Sequence, residues 1–168
     1  MTNQTHPYQI LVVCTANICR SPMGEALLRE KINQRGYSAK WQVVSAGVLA
    51  LPGLPASEFS VLEMADRGLD ISKHRSQMIT PELMKESQLI FVMTHHHRDA
   101  LTFQYPAHKN KVKLFSELRG IKFDIDDPFG EPREGYAECA RNLFGLVEIG
   151  EKRLLNWLAE VETQGELQ

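Results

Sequence analysis

The sequence predicts an α/β fold: a single domain built on an open, parallel, four-stranded sheet with helices on both faces. Three observations lead there. Four short apolar runs, in residues 8–13, 41–45, 89–93 and 112–115, read as strands. Stretches with helical spacing alternate with them, so successive strands are joined by helical crossovers and run parallel. The chain has 168 residues, the length of one domain and enough for a sizeable core without disulfides or metal.

Each element has its own signal. Ile10, Leu11, Val12 and Val13 are apolar in succession, which marks residues 8–13 as a buried strand. Residues 22–35 follow as a helix, with Met23, Ala26, Leu27 and Ile32 on its inner face and Gly36 as its stop. Trp41 to Ser45 is a second strand, and Ala46-Gly47 is expected to turn the chain out of it. Leu49 to Pro55 carries Pro52, Gly53 and Pro55, so it reads as an irregular surface loop. Ser57 to Arg67 is helical and closed by Gly68, and Thr80-Pro81-Glu82 opens another helix. Leu89 to Met93 is a third strand, Thr94 opens the next helix, and Val112 to Phe115 is a short fourth strand. From Arg133 to Glu160 the pattern is helical, interrupted by Gly145 and Gly150, which permit a bend. Residues 1–7 and 162–168 read as frayed tails of a single domain spanning 1–168. The right-handed crossover rule then leaves few topologies, those of flavodoxin-like or Rossmann-like three-layer folds. In such sheets ligands bind beyond the carboxyl ends of the strands, near a topological switch point.

Composition narrows the class of function. The formal net charge is −2, which gives no support to general nucleic-acid binding. The apolar runs are too short to span a bilayer, and the first seven residues lack a signal-peptide core, so a cytoplasmic protein is the default expectation. Three cysteines do not make a secreted disulfide framework. His95-His96-His97 invites a metal reading, but consecutive side chains on a helix cannot converge on one ion. The run reads as mostly solvent-facing, with at most one packed ring, and no metal or other cofactor is expected.

Chemistry is concentrated where the first strand ends. Cys14 opens a loop, Arg20 closes it, and Ser21-Pro22 reads as the N-cap and first residue of the helix that follows. Backbone N–H groups of such a loop, with the unpaired donors of a helix start, converge on one point that favours an anion. The same field favours a thiolate over a thiol. Arg20 adds a planar fork of donors matched to a phosphate-like oxyanion. Ser21 is placed to donate a hydrogen bond to the Cys14 sulfur. A second group is Asp126-Asp127-Pro128-Phe129-Gly130. Pro128 holds Asp127 in extended geometry, and one carboxyl group can serve as acid and then base along a cysteinyl-phosphate route. An ordinary acidic turn is the other reading of that segment.

These residues resemble the signature of the low-molecular-weight protein-tyrosine phosphatase family, Cys-x-Gly-Asn-x-Cys-Arg-Ser-Pro near the N-terminus. The match is at Cys14, Asn17, Cys19, Arg20, Ser21 and Pro22; Ala16 stands where the family has glycine. The resemblance covers nearly the whole chain. It implies that Cys14, Arg20 and Asp127 are catalytic, and that Thr15, Ala16, Asn17, Ile18, Cys19 and Ser21 line the phosphate site. It further implies that Phe129 lines the substrate slot, with Leu49 and Leu51 where relatives often carry a large aromatic. Ser45 and His74 fit the positions that brace the loop asparagine; alone they read as a strand-end cap and a surface histidine. Cys19 reads either as a small buried loop residue or as the partner that traps oxidised Cys14 in a disulfide.

The activity so implied is hydrolysis of phosphotyrosine in a phosphorylated protein or peptide, releasing inorganic phosphate. Ile18 is the residue type usual in tyrosine-directed members. The late loop and the tail of the chain also resemble a bacterial branch acting on phosphoarginine, the alternative activity within the family, although that branch carries threonine where Ile18 stands. Arsenate reduction coupled to thioredoxin needs two further cysteines, and residues 80–100 contain none. A non-catalytic phosphate-binding module is the rival from another class, and it would need neither nucleophile nor acid.

Overall fold

The computed structural model describes residues 7–167. Four strands, β1 (Tyr8–Cys14), β2 (Trp41–Gly47), β3 (Leu89–Val92) and β4 (Val112–Leu114), form one sheet in the order β2-β1-β3-β4, with every pair parallel. Helices α1 (Arg20–Gln34), α2 (Glu58–Ala65), α3 (Pro81–Glu86), α4 (His95–Gln104) and α5 (Arg133–Glu166) surround it. Short 3₁₀ turns, Pro106–Lys111 and Phe115–Arg119, flank β4.

The alternation along β1 divides the core. Ile10, Val12 and Cys14 face Met23, Leu27 and Leu28 of α1 and Leu143, Leu154 and Leu158 of α5. Leu11 and Val13 face the other way, toward Met84 of α3 and Leu101 of α4. All five β1 residues from Ile10 to Cys14 are buried, because both faces of the sheet are covered. The chain leaves β1 for β2 on one side and later returns to β3 on the other. The switch point is therefore β1 itself, and its carboxyl end carries Cys14.

Several boundaries differ from the sequence expectation. The first helix starts at Arg20 with Cys19 as N-cap, so Ser21 and Pro22 lie inside its first turn. The Ser21 hydroxyl is drawn to other partners instead of capping. Strand β2 runs through Ala46 and Gly47, where a turn was expected, because Gly47 pairs with Cys14 and its N–H donates to the Gln77 carbonyl at 2.9 Å. Helix α5 is continuous through Gly145 and Gly150. It also continues to Glu166, through residues read as a tail. Glu162 holds that end, accepting from Trp41 Nε1 at 2.8 Å and Lys40 Nζ at 2.7 Å. Of the N-terminal tail, residues 1–6 lie outside the described residues. Among the described residues no helix is long and apolar enough to cross a membrane.

Candidate active site

The loop between β1 and α1 is shaped by where its carbonyl groups go. The Cys14 and Thr15 carbonyls accept from the N–H groups of Val48 and Leu49, at 3.0 and 2.9 Å. Asn17 O contacts His74 Nε2 at 2.7 Å, Ile18 O accepts from Ser57 N–H at 2.8 Å, and Cys19 O accepts from Ser60 Oγ at 3.3 Å. These partners lie in the body of the protein. In a trans peptide the next N–H points opposite to the carbonyl, so the N–H groups of Thr15, Ala16, Ile18, Cys19 and Arg20 turn toward the cleft. That is a nest for an anion, next to the sulfur of Cys14.

Close approach to β2 is what permits this. A Cβ on Gly47 would lie 2.5 Å from the Thr15 carbonyl oxygen and 2.9 Å from the Asn17 nitrogen. Ala16, the departure from the family pattern, is accommodated in the loop. The position that tolerates no side chain is Gly47, which the sequence reading treated as a turn residue.

Asn17 is the keystone of the loop. It is fully buried and is the one described non-glycine residue with positive φ, at 57°, a conformation asparagine tolerates best among such residues. Its Oδ1 accepts from the Gln77 N–H at 2.9 Å, and a backbone donor there fixes which end of the amide is oxygen. Nδ2 must then donate, to Ser21 Oγ at 2.8 Å and Ser45 Oγ at 2.9 Å. Ser21, having accepted that bond, has its own proton available for Cys14 Sγ, 3.0 Å away. Ser45 in turn donates a hydrogen bond to Glu25 Oε2 at 2.5 Å. Ser45 and His74 sit against Asn17, and Gln77 and Glu25 join them without a signal in the sequence.

Arg20 is 4% exposed. Its Nη1 donates to the Ile125 carbonyl at 2.9 Å, and Nη2 donates to Asp127 Oδ2 at 3.0 Å and Thr15 Oγ1 at 3.3 Å. Nε is buried without a protein partner. Asp127 is half-exposed, and its Oδ1 accepts from the Phe129 N–H at 3.2 Å, a turn that aims the carboxylate at the cleft. The segment is hung from the residue just past β3, where Ile125 N–H donates to Met93 O at 2.9 Å. Asp126 lines a neighbouring cavity with Glu131, Glu138 and Cys139, whereas Asp127 borders both that cavity and the cleft and is the one carboxylate in the cleft lining.

The cleft, about 390 Å³, has Cys14, Cys19 and Arg20 at its base, with Thr15, Ala16 and Ile18 beside them. Leu49, Leu51 and Leu54 from the loop after β2, and Phe129 from the loop before α5, complete its lining. Leu49, Leu51 and Phe129 are exposed, so the mouth is apolar and open. Burial raises the Cys19 thiol above its ordinary range despite bonds to Ser57 and Tyr136, and pushes Cys139 up to about 12. Both remain thiols at neutral pH. All three cysteines are free.

The histidine run divides as helical geometry requires. His95 Nδ1 turns to Asp124 Oδ1 at 2.6 Å, while His97 is packed inward with Nε2 at 2.9 Å from Thr15 Oγ1. Among the described residues no three or more histidine, cysteine or acidic side chains are grouped so as to hold a metal.

A thiol in an anion nest at the switch point of a parallel sheet, with guanidinium and carboxylate beside it, defines a cysteine-dependent phosphatase. The chain belongs to the low molecular weight phosphotyrosine protein phosphatase family, whose model matches residues 9–166. Among its relatives is the probable low molecular weight protein-tyrosine-phosphatase EpsP of Ralstonia nicotianae, 41% identical over 156 residues, 93% of this chain and 97% of that protein. The protein-arginine-phosphatase of Geobacillus stearothermophilus is 36% identical over 143 residues, 84% of this chain and 93% of that one. In structure, the low molecular weight protein tyrosine phosphatase of T. tengcongensis superposes with a TM-score of 0.81 at 36% identity, covering 87% and 99% of the two chains. The arginine phosphatase YwlE of G. stearothermophilus does so at 0.81 and 35%, covering 91% and 97%.

Proposed function

We propose that this protein hydrolyses phosphotyrosine in proteins or peptides through a phosphocysteine on Cys14. The observation that carries the reading is the orientation of the loop's N–H groups around that sulfur, with Arg20 beside it. The Cys14 thiolate attacks phosphorus in line, and the P–O bond to the leaving oxygen breaks. Loop amides, with the Arg20 fork and its unpartnered Nε–H, hold the equatorial oxygens. Asp127 leaves Arg20 as the phosphate ester binds, takes up a proton from solvent and gives it to the leaving oxygen; the carboxylate so formed then takes a proton from the water that cleaves the S–P bond. Inorganic phosphate and free Cys14 result, and Ser21 donates to the departing sulfur.

The lining of the cleft supports tyrosine as the phosphorylated residue. Ile18, Leu49, Leu51, Leu54 and Phe129 offer apolar surface to an aryl ring. A phosphoguanidine would need acceptors for its N–H groups, and the lining has one carboxylate, Asp127, already held by Arg20. A cytoplasmic location goes with this reading. The test is a side-by-side assay of phosphotyrosyl and phosphoarginyl peptides of identical sequence. Faster release from phosphotyrosine, abolished in Cys14→Ser with phosphate binding retained, is expected. Preference for phosphoarginine would overturn the substrate assignment, and an active Cys14→Ser would overturn the mechanism.

A further inference from the structure

Nothing in the mechanism above uses His97, although it reaches the phosphate loop from α4, 82 positions away in sequence from Thr15. Its ring is 3% exposed. An arginine can only donate, so in the 3.3 Å contact between Arg20 Nη2 and Thr15 Oγ1 the hydroxyl oxygen accepts. The same hydroxyl meets His97 Nε2 at 2.9 Å, where it donates to a bare ring nitrogen or, through its second lone pair, accepts a ring N–H. The other ring nitrogen, Nδ1, is buried with no protein partner. Burial first, and the positive charge of Arg20 second, hold the imidazole down to about 4; His96 adds to this, and Asp127 and Asp124 oppose it. The ring is neutral at working pH.

We propose that His97 is a positioning residue for Arg20, acting through the Thr15 hydroxyl to fix the guanidinium against the phosphate loop. This rests on reading that loop as the phosphate site. Nη2 has two acceptors, Thr15 and Asp127. When Asp127 leaves to protonate the departing oxygen, Thr15 is the acceptor that stays. A threonine hydroxyl rotates freely unless a further partner fixes it, and His97 Nε2 is that partner. With His97 absent, the Thr15 rotor is unfixed and the Nη2 end of the guanidinium, still tied at Nη1 to the Ile125 carbonyl, loses its fixed acceptor at the step where charge on the equatorial oxygens is greatest. The effect therefore falls more on kcat than on KM.

The experiment uses the full chain with p-nitrophenyl phosphate as substrate and inorganic phosphate as ligand. His97→Ala lowers kcat about tenfold and weakens phosphate binding about threefold, the scale of one hydrogen bond to a charged group. Thr15→Val does the same, and the double variant is no worse than either single one, since both remove one chain. His97→Gln, whose amide offers either an acceptor or a donor in place of Nε2, regains most of the rate at unchanged Tm. Wild-type kcat in folded His97→Ala, losses that multiply in the double variant, or a Gln variant as slow as the Ala variant would each overturn the proposal. Should His97→Ala not fold, Thr15→Val and His97→Gln carry the same comparison. Should the wild type hydrolyse no phosphate ester, the phosphatase reading fails by itself. Calorimetric phosphate binding to wild type and variants then decides the positioning role, equal affinities refuting it.

Discussion

The hydroxyl oxygen of Ser21 lies 3.0 Å from the sulfur of Cys14 and accepts the Asn17 amide on its other side. The amide thus points the serine proton at sulfur, where it stabilises the thiolate both before attack and as the phosphoryl group leaves. Ser21→Ala removes one bond to an ionised group, worth about 1.5–3 kcal/mol, or about 10–100-fold in rate. Because Asn17 keeps Ser45, the fold survives. Rapid-mixing kinetics on p-nitrophenyl phosphate should show a burst of phenolate followed by slow turnover. Wild-type turnover in this variant would refute the role.

Asp127 is charge-paired with Arg20 at 3.0 Å and half-exposed, so it can exchange that partner for a leaving oxygen. Asp127→Asn should lower kcat on phosphotyrosine by about 10²–10⁴-fold, the range for loss of a general acid. Esters of more acidic phenols need less protonation and should lose less. Plotting log kcat against leaving-group pKa checks this: the slope must steepen in the variant. Equal slopes would mean that another group supplies the proton.

Asn17 separates backbone strain from hydrogen bonding. Asn17→Ala loses the bonds to Gln77, Ser21 and Ser45 and also places an alanine at φ 57°. Asn17→Gly loses the same bonds but accepts the backbone. Both should lower the free energy of unfolding in urea, with alanine the worse by about 1–2 kcal/mol, the cost of the left-handed conformation. Equal losses would show that the conformation carries no strain.

Much of this was readable in the chain because the informative residues are neighbours. Cys14 to Ser21 are consecutive, and Asp127 is marked by the proline after it. The strands were readable because both sheet faces are covered, so burial leaves uninterrupted apolar runs. Ser21 was misread as a cap since Ser-Pro has a good local explanation; tertiary partners, Cys14 and Asn17, claimed the hydroxyl instead. Glu25 and Gln77 carry no local mark, and the run His95-His96-His97 does not say which ring is packed or against what. Each of Glu25, Gln77 and His97 reaches the loop from a distant segment, and its role exists only in the folded pairing. Gly47 is of the same kind, being required by a carbonyl more than thirty positions earlier.

The glycines make a further test, since sequence alone gave Gly145 and Gly150 the same meaning. A Cβ at Gly145 meets nothing within 4 Å, whereas at Gly150 it would lie 2.6 Å from Leu118 Cβ and the Leu118 carbonyl oxygen. Gly145→Ala should stabilise by about 0.5–1 kcal/mol through helix propensity. Gly150→Ala should destabilise by about 1–3 kcal/mol by forcing α5 off the 3₁₀ turn. Gly47→Ala should cost a similar amount and, unlike Gly150→Ala, weaken phosphate binding, because the atoms it strikes belong to the loop. Urea unfolding with phosphate titration distinguishes the three.

Acid should destabilise the fold through His97. Its imidazole is held down to about 4 by burial and by Arg20, against an ordinary value of 6.5. Between those values the unfolded chain binds a proton that the folded one refuses, so stability rises with pH across the window. The contribution is fully present above about pH 6.5 and is lost as pH falls toward 4, amounting to about 3 kcal/mol at most. Carboxylates held low by partners, such as Glu162 and Asp124, also lose stability in acid, so the single curve is not diagnostic. The comparison with His97→Gln is, because the carboxylates are common to both proteins. Urea unfolding at pH 7 and pH 4.5 should show the variant losing less than the wild type, by about 2 kcal/mol. Parallel losses would mean that the ring takes up its proton in place, and that the loop tolerates a cation beside Arg20.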